Sequence, residues 1–192
     1  MISKERTTKE TAISIALDEE KSPGASSIKT GSGFFDHMLT LLSFHSGLHM
    51  EISAQGDLEV DAHHTVEDVG IILGQLIREL YTAKASYQRY GTTYIPMDES
   101  LARVILDLSG RPHLNFQAEF SKSTVGNFDT ELVMEFFNAV SMNSRMTLHI
   151  DLLKGGNTHH EIEAIFKAFA RSLAAALQPS SMGVPSSKGV IE

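Results

Sequence analysis

The word His-His-x-x-Glu occurs twice, as His63-His64-Thr-Val-Glu67 and as His159-His160-Glu-Ile-Glu163, displaced by 96 residues in a chain of 192. A word that returns once, at half the chain length, does not describe a solenoid, which needs several short stacked units. It describes a duplicated fold. The apolar pattern repeats with it. Residues 11–17 alternate, with Ile13, Ile15 and Leu17 on one face, as a strand does. In residues 34–44 the spacing of Phe34, Met38, Leu41 and Leu42 predicts a helix, and Gly47 is placed to end it. Residues 48–54 predict another strand, and Val66, Val69, Leu73, Leu76, Ile77 and Leu80 a long amphipathic helix.

The second half runs in the same order: strand-like segments at 90–95, 102–108 and 114–120, a helix at 132–140, a strand at 146–152 and an Ala-rich helix at 162–177. A further shared word is Gly33-Phe-Phe-Asp36 against Gly126-Asn-Phe-Asp129. The predicted class is α/β, an α+β sandwich of duplicated β-β-α-β-α half-domains, with sheets packed against helices about a pseudo-twofold. The halves are 1–88 and 89–178 of a single domain over 1–192. Residues 179–192, rich in Ser, Pro and Gly, form a tail or a flap that closes on the substrate.

Composition narrows the function classes. With 16 Lys+Arg against 24 Asp+Glu the net charge is −8, which argues against a broad nucleic-acid footprint but leaves room for a local basic pocket. A hydrophobic share of 42% supports a real core. No apolar run approaches the ~18 residues of a membrane span, and MISKERTTKE carries no signal core, so a soluble, cytoplasmic chain is expected. Cysteine is absent. Thiol chemistry and Cys-ligated zinc are therefore excluded, and any metal must be held by imidazole and carboxylate.

On a helix, His63 and Glu67 lie one turn apart, about 40° from each other, while His64 lies about 60° on the other side of Glu67. The two imidazoles of each word therefore cannot easily bind one metal through the same face, and their simplest use is one for each of two metals. Two copies supply four imidazoles and two carboxylates, a set suited to a dinuclear Mn²⁺, Fe²⁺ or Zn²⁺ site, and His37 can add another imidazole. Taken singly, Arg89, Arg111 and Lys188 are either phosphate grips or solvated cations. Lys167, one turn beyond Glu163, is a charge behind the metal site or the solvent face of its helix.

Seven words, in order, resemble one family. They are Phe34-Phe-Asp-His37-Met-Leu, Gly56-Asp-Leu-Glu-Val-Asp-Ala-His-His-Thr-Val-Glu-Asp68, Pro96-Met-Asp-Glu99, Leu108-Ser-Gly-Arg-Pro112, Phe128-Asp-Thr-Glu131, Thr158-His-His-Glu-Ile-Glu163 with its continuation to Arg171, and Pro185-Ser-Ser-Lys-Gly189. Together they resemble the imidazoleglycerol-phosphate dehydratases of histidine biosynthesis, over nearly the whole chain. The resemblance implies a hydro-lyase that converts D-erythro-imidazole glycerol phosphate to imidazole acetol phosphate, with two Mn²⁺ per active site holding the substrate as an imidazolate. It also implies a homo-oligomer of twenty-four subunits with metal sites at subunit interfaces.

Carried over by position, the metal ligands implied are His37, His63, His64, Glu67, His159, His160 and Glu163. The substrate contacts implied are Glu10, His37, His45, Arg89, Arg111, Ser186, Ser187 and Lys188, the last five around the phosphate. Glu10 and Glu163 are the expected acid–base pair. At the position matching His37 the second half has Glu135 instead of the family's His. The competing readings are a metal-storage or metal-sensing protein, which has no use for Arg89, Arg111 and the Pro185-Ser-Ser-Lys188 tail, and a dinuclear phosphate-ester hydrolase, which should release inorganic phosphate where a dehydratase would not.

Overall fold

A computed structural model of the chain describes residues 1–181 and 186. The first half contributes β1 (Ile2–Thr7), β2 (Thr11–Asp18), β3 (Ser27–Lys29), α1 (Gly33–Ser46), β4 (His49–Gly56) and α2 (His63–Thr82). The second contributes β5 (Tyr90–Met97), β6 (Ser100–Asp107), β7 (His113–Gln117), a small hairpin β8 (Thr124–Val125) and β9 (Phe128–Asp129), α3 (Leu132–Ser144), β10 (Thr147–Lys154) and α4 (Thr158–Leu177). The two main sheets have matching orders, β1-β2-β4-β3 and β5-β6-β10-β7. In each, the outer short strand is parallel to its neighbour and the other pairs are antiparallel.

The duplication is therefore real; each half has four main-sheet strands where the predicted β-β-α-β-α unit has three, and the two that the segment pattern lacks, β1 and β3, are both in the first half. β1 and β3 escape the pattern because their side chains are mostly exposed, so neither shows a buried face for alternation to reveal. The predicted faces hold where a face is buried. Ile13, Ile15 and Leu17 are buried, and in register they lie beside Ala54, Ile52 and Met50 of β4. Each such side chain contributes about 1.5–3 kcal/mol on full burial. Gly47 ends α1 in the left-handed region, at φ 77°, with its N–H donating to the Ser43 carbonyl.

One shared word is not structurally equivalent. Gly33 opens α1, whereas Gly126 lies in the β8–β9 turn and α3 begins only at Leu132. Counting back from β4 and β10, the residue matching His37 is Glu135, and residues 126–129 belong to an insertion of the second half.

The helices lie against their own sheets and meet across the halves, α1 packing on α4 and α2 on α3. Aromatic rings knit this joint: Phe35 of α1 meets Phe136 of α3 edge-on with centroids 5.4 Å apart, and Phe34 lies 5.3 Å from Phe128. The α2–α3 crossing is closer still. A Cβ on Gly70 would lie 2.9 Å from the Phe136 carbonyl, and one on Gly74 2.7 Å from the Val140 carbonyl, so only glycine permits this approach. The consequence for function is direct. Each His-His-x-x-Glu helix rests on the first helix of the opposite half, so potential ligands far apart in sequence come together.

Candidate active site

His159 and Glu163 are one turn apart at the amino end of α4, and His37 reaches them from α1. Glu163 Oε2 lies 3.3 Å from His159 Nε2 and 3.5 Å from His37 Nε2. The three can offer ligand atoms within 4.8 Å of one another. Phe34 packs edge-on against the His159 ring at 5.2 Å and limits its swing. Glu163 is buried. Burial by itself would raise its carboxyl, but the Lys167 ammonium, 2.5 Å from Oε1, together with His37 and His159, brings it below the ordinary carboxylate range. An ionised carboxylate and two imidazoles are a donor set that fits a divalent ion.

His160, on the other side of the helix, makes a different cluster with Asp98 and Glu99 at the β5–β6 turn. Its Nδ1 lies 3.2 Å from a Glu99 oxygen and 3.9 Å from Asp98. The imidazoles of one word thus face separate surroundings, as the helical angles predict.

In the first half His64 is matched in kind. Its Nδ1 lies 3.0 Å from Asp57, and its Nε2 is 3.9 Å from Glu10 at the β1–β2 turn. The hydrogen bond to Asp57 is the main cause that raises the His64 imidazole above its usual value. Glu10 is exposed but its turn is fastened down. Thr11 Oγ1 donates to Asp68 at 2.5 Å, and Arg6 Nε donates to the same carboxylate at 2.7 Å, tying the turn to α2. His63 and Glu67 belong to neither three-ligand group among the described residues, and Glu67 is exposed where its counterpart Glu163 is buried. Glu135 is half-buried and completes no group with them.

His45 sits two turns beyond His37 on α1. Burial first, then the Lys167 and Arg171 charges, lower its imidazole, so it is neutral near pH 7. Arg89 and Arg111 converge on Asp107. Arg89 donates from Nε at 2.6 Å and from the guanidinium terminus at 3.0 Å, a two-pronged pair, and Arg111 approaches the same carboxylate at 3.7 Å. Arg89 is buried and holds a left-handed backbone, φ 71°. Ser186 is half-buried, and Ser187 and Lys188 lie outside the described residues.

The sequence offers Lys167 as a charge behind the metal site or as solvent face, and leaves out Asp107 between the two arginines and the carboxylates Asp57 and Glu99 on the second imidazoles. Lys167 carried a signal, its one-turn spacing from Glu163. Asp57 and Glu99 stand inside two of the family words but show no helical or repeat spacing to their imidazoles, because each reaches its partner from a different loop, and Asp107 reaches its arginines from a strand end.

The fold and this site define a duplicated α/β protein whose paired histidine helices gather imidazole–carboxylate clusters, with a separate arginine pair. Comparisons with known proteins specify it further. The family model for imidazoleglycerol-phosphate dehydratase matches residues 30–173. The chain is 66% identical over 190 residues to the imidazoleglycerol-phosphate dehydratase of Staphylococcus carnosus (strain TM300) and 60% identical to that of Staphylococcus aureus (strain JH9), covering 98% of each chain in both cases. The crystal structure of the dehydratase from Staphylococcus aureus subsp. aureus N315 superposes with a TM-score of 0.83 at 55% identity, covering 94% of this chain and all of that one. The Pyrococcus furiosus dehydratase in complex with (S)-C348 gives 0.85 at 37% identity, covering 97% of this chain and 99% of that one. The chain belongs to the imidazoleglycerol-phosphate dehydratase family, a family of hydro-lyases. Among the described residues no helix is long and apolar enough to cross a membrane.

Proposed function

We propose that the chain dehydrates D-erythro-imidazole glycerol phosphate to imidazole acetol phosphate in L-histidine biosynthesis, using two Mn²⁺ per active site held by His37, His63, His64, Glu67, His159, His160 and Glu163. The observation that carries this reading is the convergence of His37, His159 and Glu163 from opposite halves of the duplication. Bound there, divalent ions would take the two ring nitrogens of the substrate and supply the positive charge that favours its imidazolate form.

In the reaction the hydroxyl on the ring-bearing carbon leaves, the neighbouring carbon gives up its proton, and the resulting enol becomes the ketone. Protein groups must move those protons. Glu10 is exposed, anchored at its turn, and placed on the Nε2 side of His64; it is the acid–base residue. Glu163, kept ionised by Lys167, serves as a ligand ahead of any proton transfer. His45, neutral, offers the substrate arm one donor and one acceptor. Arg89 and Arg111, with Ser186, Ser187 and Lys188, take the phosphate, and that remote grip orients the arm for elimination.

Among the described residues, one chain leaves the metal cluster and the Arg89 end of the site apart. The Arg89 backbone is bonded to the carbonyl of Ala176 near the far end of α4, thirteen residues beyond Glu163. At 1.5 Å per residue that is about 20 Å. The substrate, with bonds near 1.5 Å, extends to about 10 Å. The exposed Glu67 and the incomplete His63–Glu67 group point the same way. These features support sites completed by neighbouring subunits in a homo-oligomer, twenty-four subunits by family resemblance, so metal loading and assembly are coupled.

The test is turnover by chelator-stripped protein with and without Mn²⁺, following ketone and inorganic phosphate together. Ketone formed only with metal, and no phosphate release, is the expected result. Stoichiometric metal binding without turnover would favour storage, and phosphate release would favour a hydrolase.

A further inference from the structure

His64 and His160, the second imidazoles of the two words, each turn Nδ1 onto a carboxylate. Asp57 presents both oxygens to His64 Nδ1, at 3.1 and 3.0 Å. Glu99 presents both of its oxygens to His160 Nδ1, at 3.3 and 3.2 Å. The carboxylates come from unlike places. Asp57 follows β4, whereas Glu99 lies in the β5–β6 turn. By the duplication, the counterpart of the β5–β6 turn is the turn that bears Glu10, and the counterpart of Asp57 falls near Gly155-Gly156. The two halves thus keep the arrangement while changing the residue that makes it.

Room has been made for one of them. A Cβ on Gly156 would lie 2.5 Å from Glu99 Cγ, so the glycine lets the Glu99 side chain cross the start of α4. There Glu99 Oε1 also accepts the Asn157 N–H at 2.7 Å, which fixes the carboxylate before any ligand arrives.

A carboxylate can only accept at Nδ1. It therefore selects the neutral tautomer with its proton on Nδ1, and leaves the Nε2 lone pair for a cation. In His64 that nitrogen faces Glu10. We propose that Asp57 and Glu99 are paired positioning residues that fix His64 and His160 as Nδ1–H tautomers, so that each offers Nε2 to its metal. This rests on the dehydratase reading only for the identity of the metal. It assigns each second imidazole of the words a single ligating atom.

The test uses Asp57→Asn and Glu99→Gln in the full chain. In metal-free protein labelled with ¹⁵N-histidine, two imidazoles of the wild type should show protonated Nδ1 and bare Nε2, and each substitution should move one of them toward a mixed population. Free Mn²⁺ measured by electron paramagnetic resonance should then show affinity weakened about 10- to 100-fold in each variant, with melting temperature and stoichiometry retained. Unchanged tautomers or unchanged Mn²⁺ affinity would overturn the proposal, as would loss of one metal equivalent outright in Glu99→Gln, which would make Glu99 a direct ligand. Asp57→Asn stands as the independent variant if loss of the α4 contact unfolds Glu99→Gln. A wild type that shows the Nδ1–H tautomers yet binds no Mn²⁺ would instead count against the metal-dependent dehydratase reading.

Discussion

Lys167 Nζ lies 2.5 Å from Glu163 Oε1, one helical turn along α4, while the opposite oxygen of the same carboxylate faces His159 and His37. The lysine neutralises a buried charge from the rear and leaves the front for a cation. Replacing Lys167 with Met strands that charge, and metal-free protein should lose about 2 kcal/mol of stability in a denaturant titration. Saturating Mn²⁺ should restore much of the loss, since an ion bound to N but not U stabilises by mass action and brings its own positive charge. Equal losses with and without metal would place Lys167 in the scaffold only.

Glu10 is the proposed acid–base carboxylate. Its side chain is exposed, with its carboxylate 3.9 Å from His64 Nε2, and its backbone N–H donates to the Thr8 hydroxyl. Glu10→Gln keeps shape and turn but removes the titrating group. Turnover should fall at least about 100-fold, with Mn²⁺ stoichiometry and oligomer size unchanged by calorimetry and sedimentation. Near-normal turnover would remove Glu10 from the acid–base role.

Arg111 is mostly exposed and is only 3.7 Å from Asp107, whereas Arg89 is buried and locked to that carboxylate. Substituting Arg111 therefore tests phosphate binding without dismantling the fold. Arg111→Ala should raise KM about tenfold or more with kcat less affected, the signature of lost binding remote from the reacting bond. A drop in kcat at unchanged KM would contradict the phosphate assignment.

The ends of α1 and α3 are counterparts, yet α1 is capped by Gly47 at φ 77° and α3 by Arg145 at φ 57°. A side chain in that left-handed region costs about 1–2 kcal/mol, and glycine gives back part of the gain through its greater unfolded-state freedom. Arg145→Gly should stabilise the chain by up to about 1 kcal/mol in thermal or denaturant unfolding, without changing turnover.

The site was legible in part for a specific reason. His63-His64-Thr-Val-Glu67 and its repeat mark themselves by recurrence, and the helical period separates their two imidazoles without any coordinates. Asp57 and Glu99 gave no such sign, because they approach His64 and His160 from loops that are not equivalent in the duplication. The shared Gly33 and Gly126 words misled for the converse reason: similar letters fell on a helix start and on a turn of the β8–β9 hairpin.

By itself the sequence determined the duplication, the absence of thiol ligands, the buried faces of β2 and α2, and the two histidine helices, because each is a matter of composition, period or recurrence along the chain. Tertiary structure alone decided that α1 lies on α4 and α2 on α3, that His37 therefore meets His159 and Glu163 across the halves, and that Arg89 ends about 20 Å away along α4. Those facts depend on which surfaces fit: the backbone contact that Gly70 and Gly74 allow, and the packing of Phe34 on His159 and of Phe35 on Phe136. Complementarity of that kind is a property of two packed surfaces together, and no local pattern in either one encodes it.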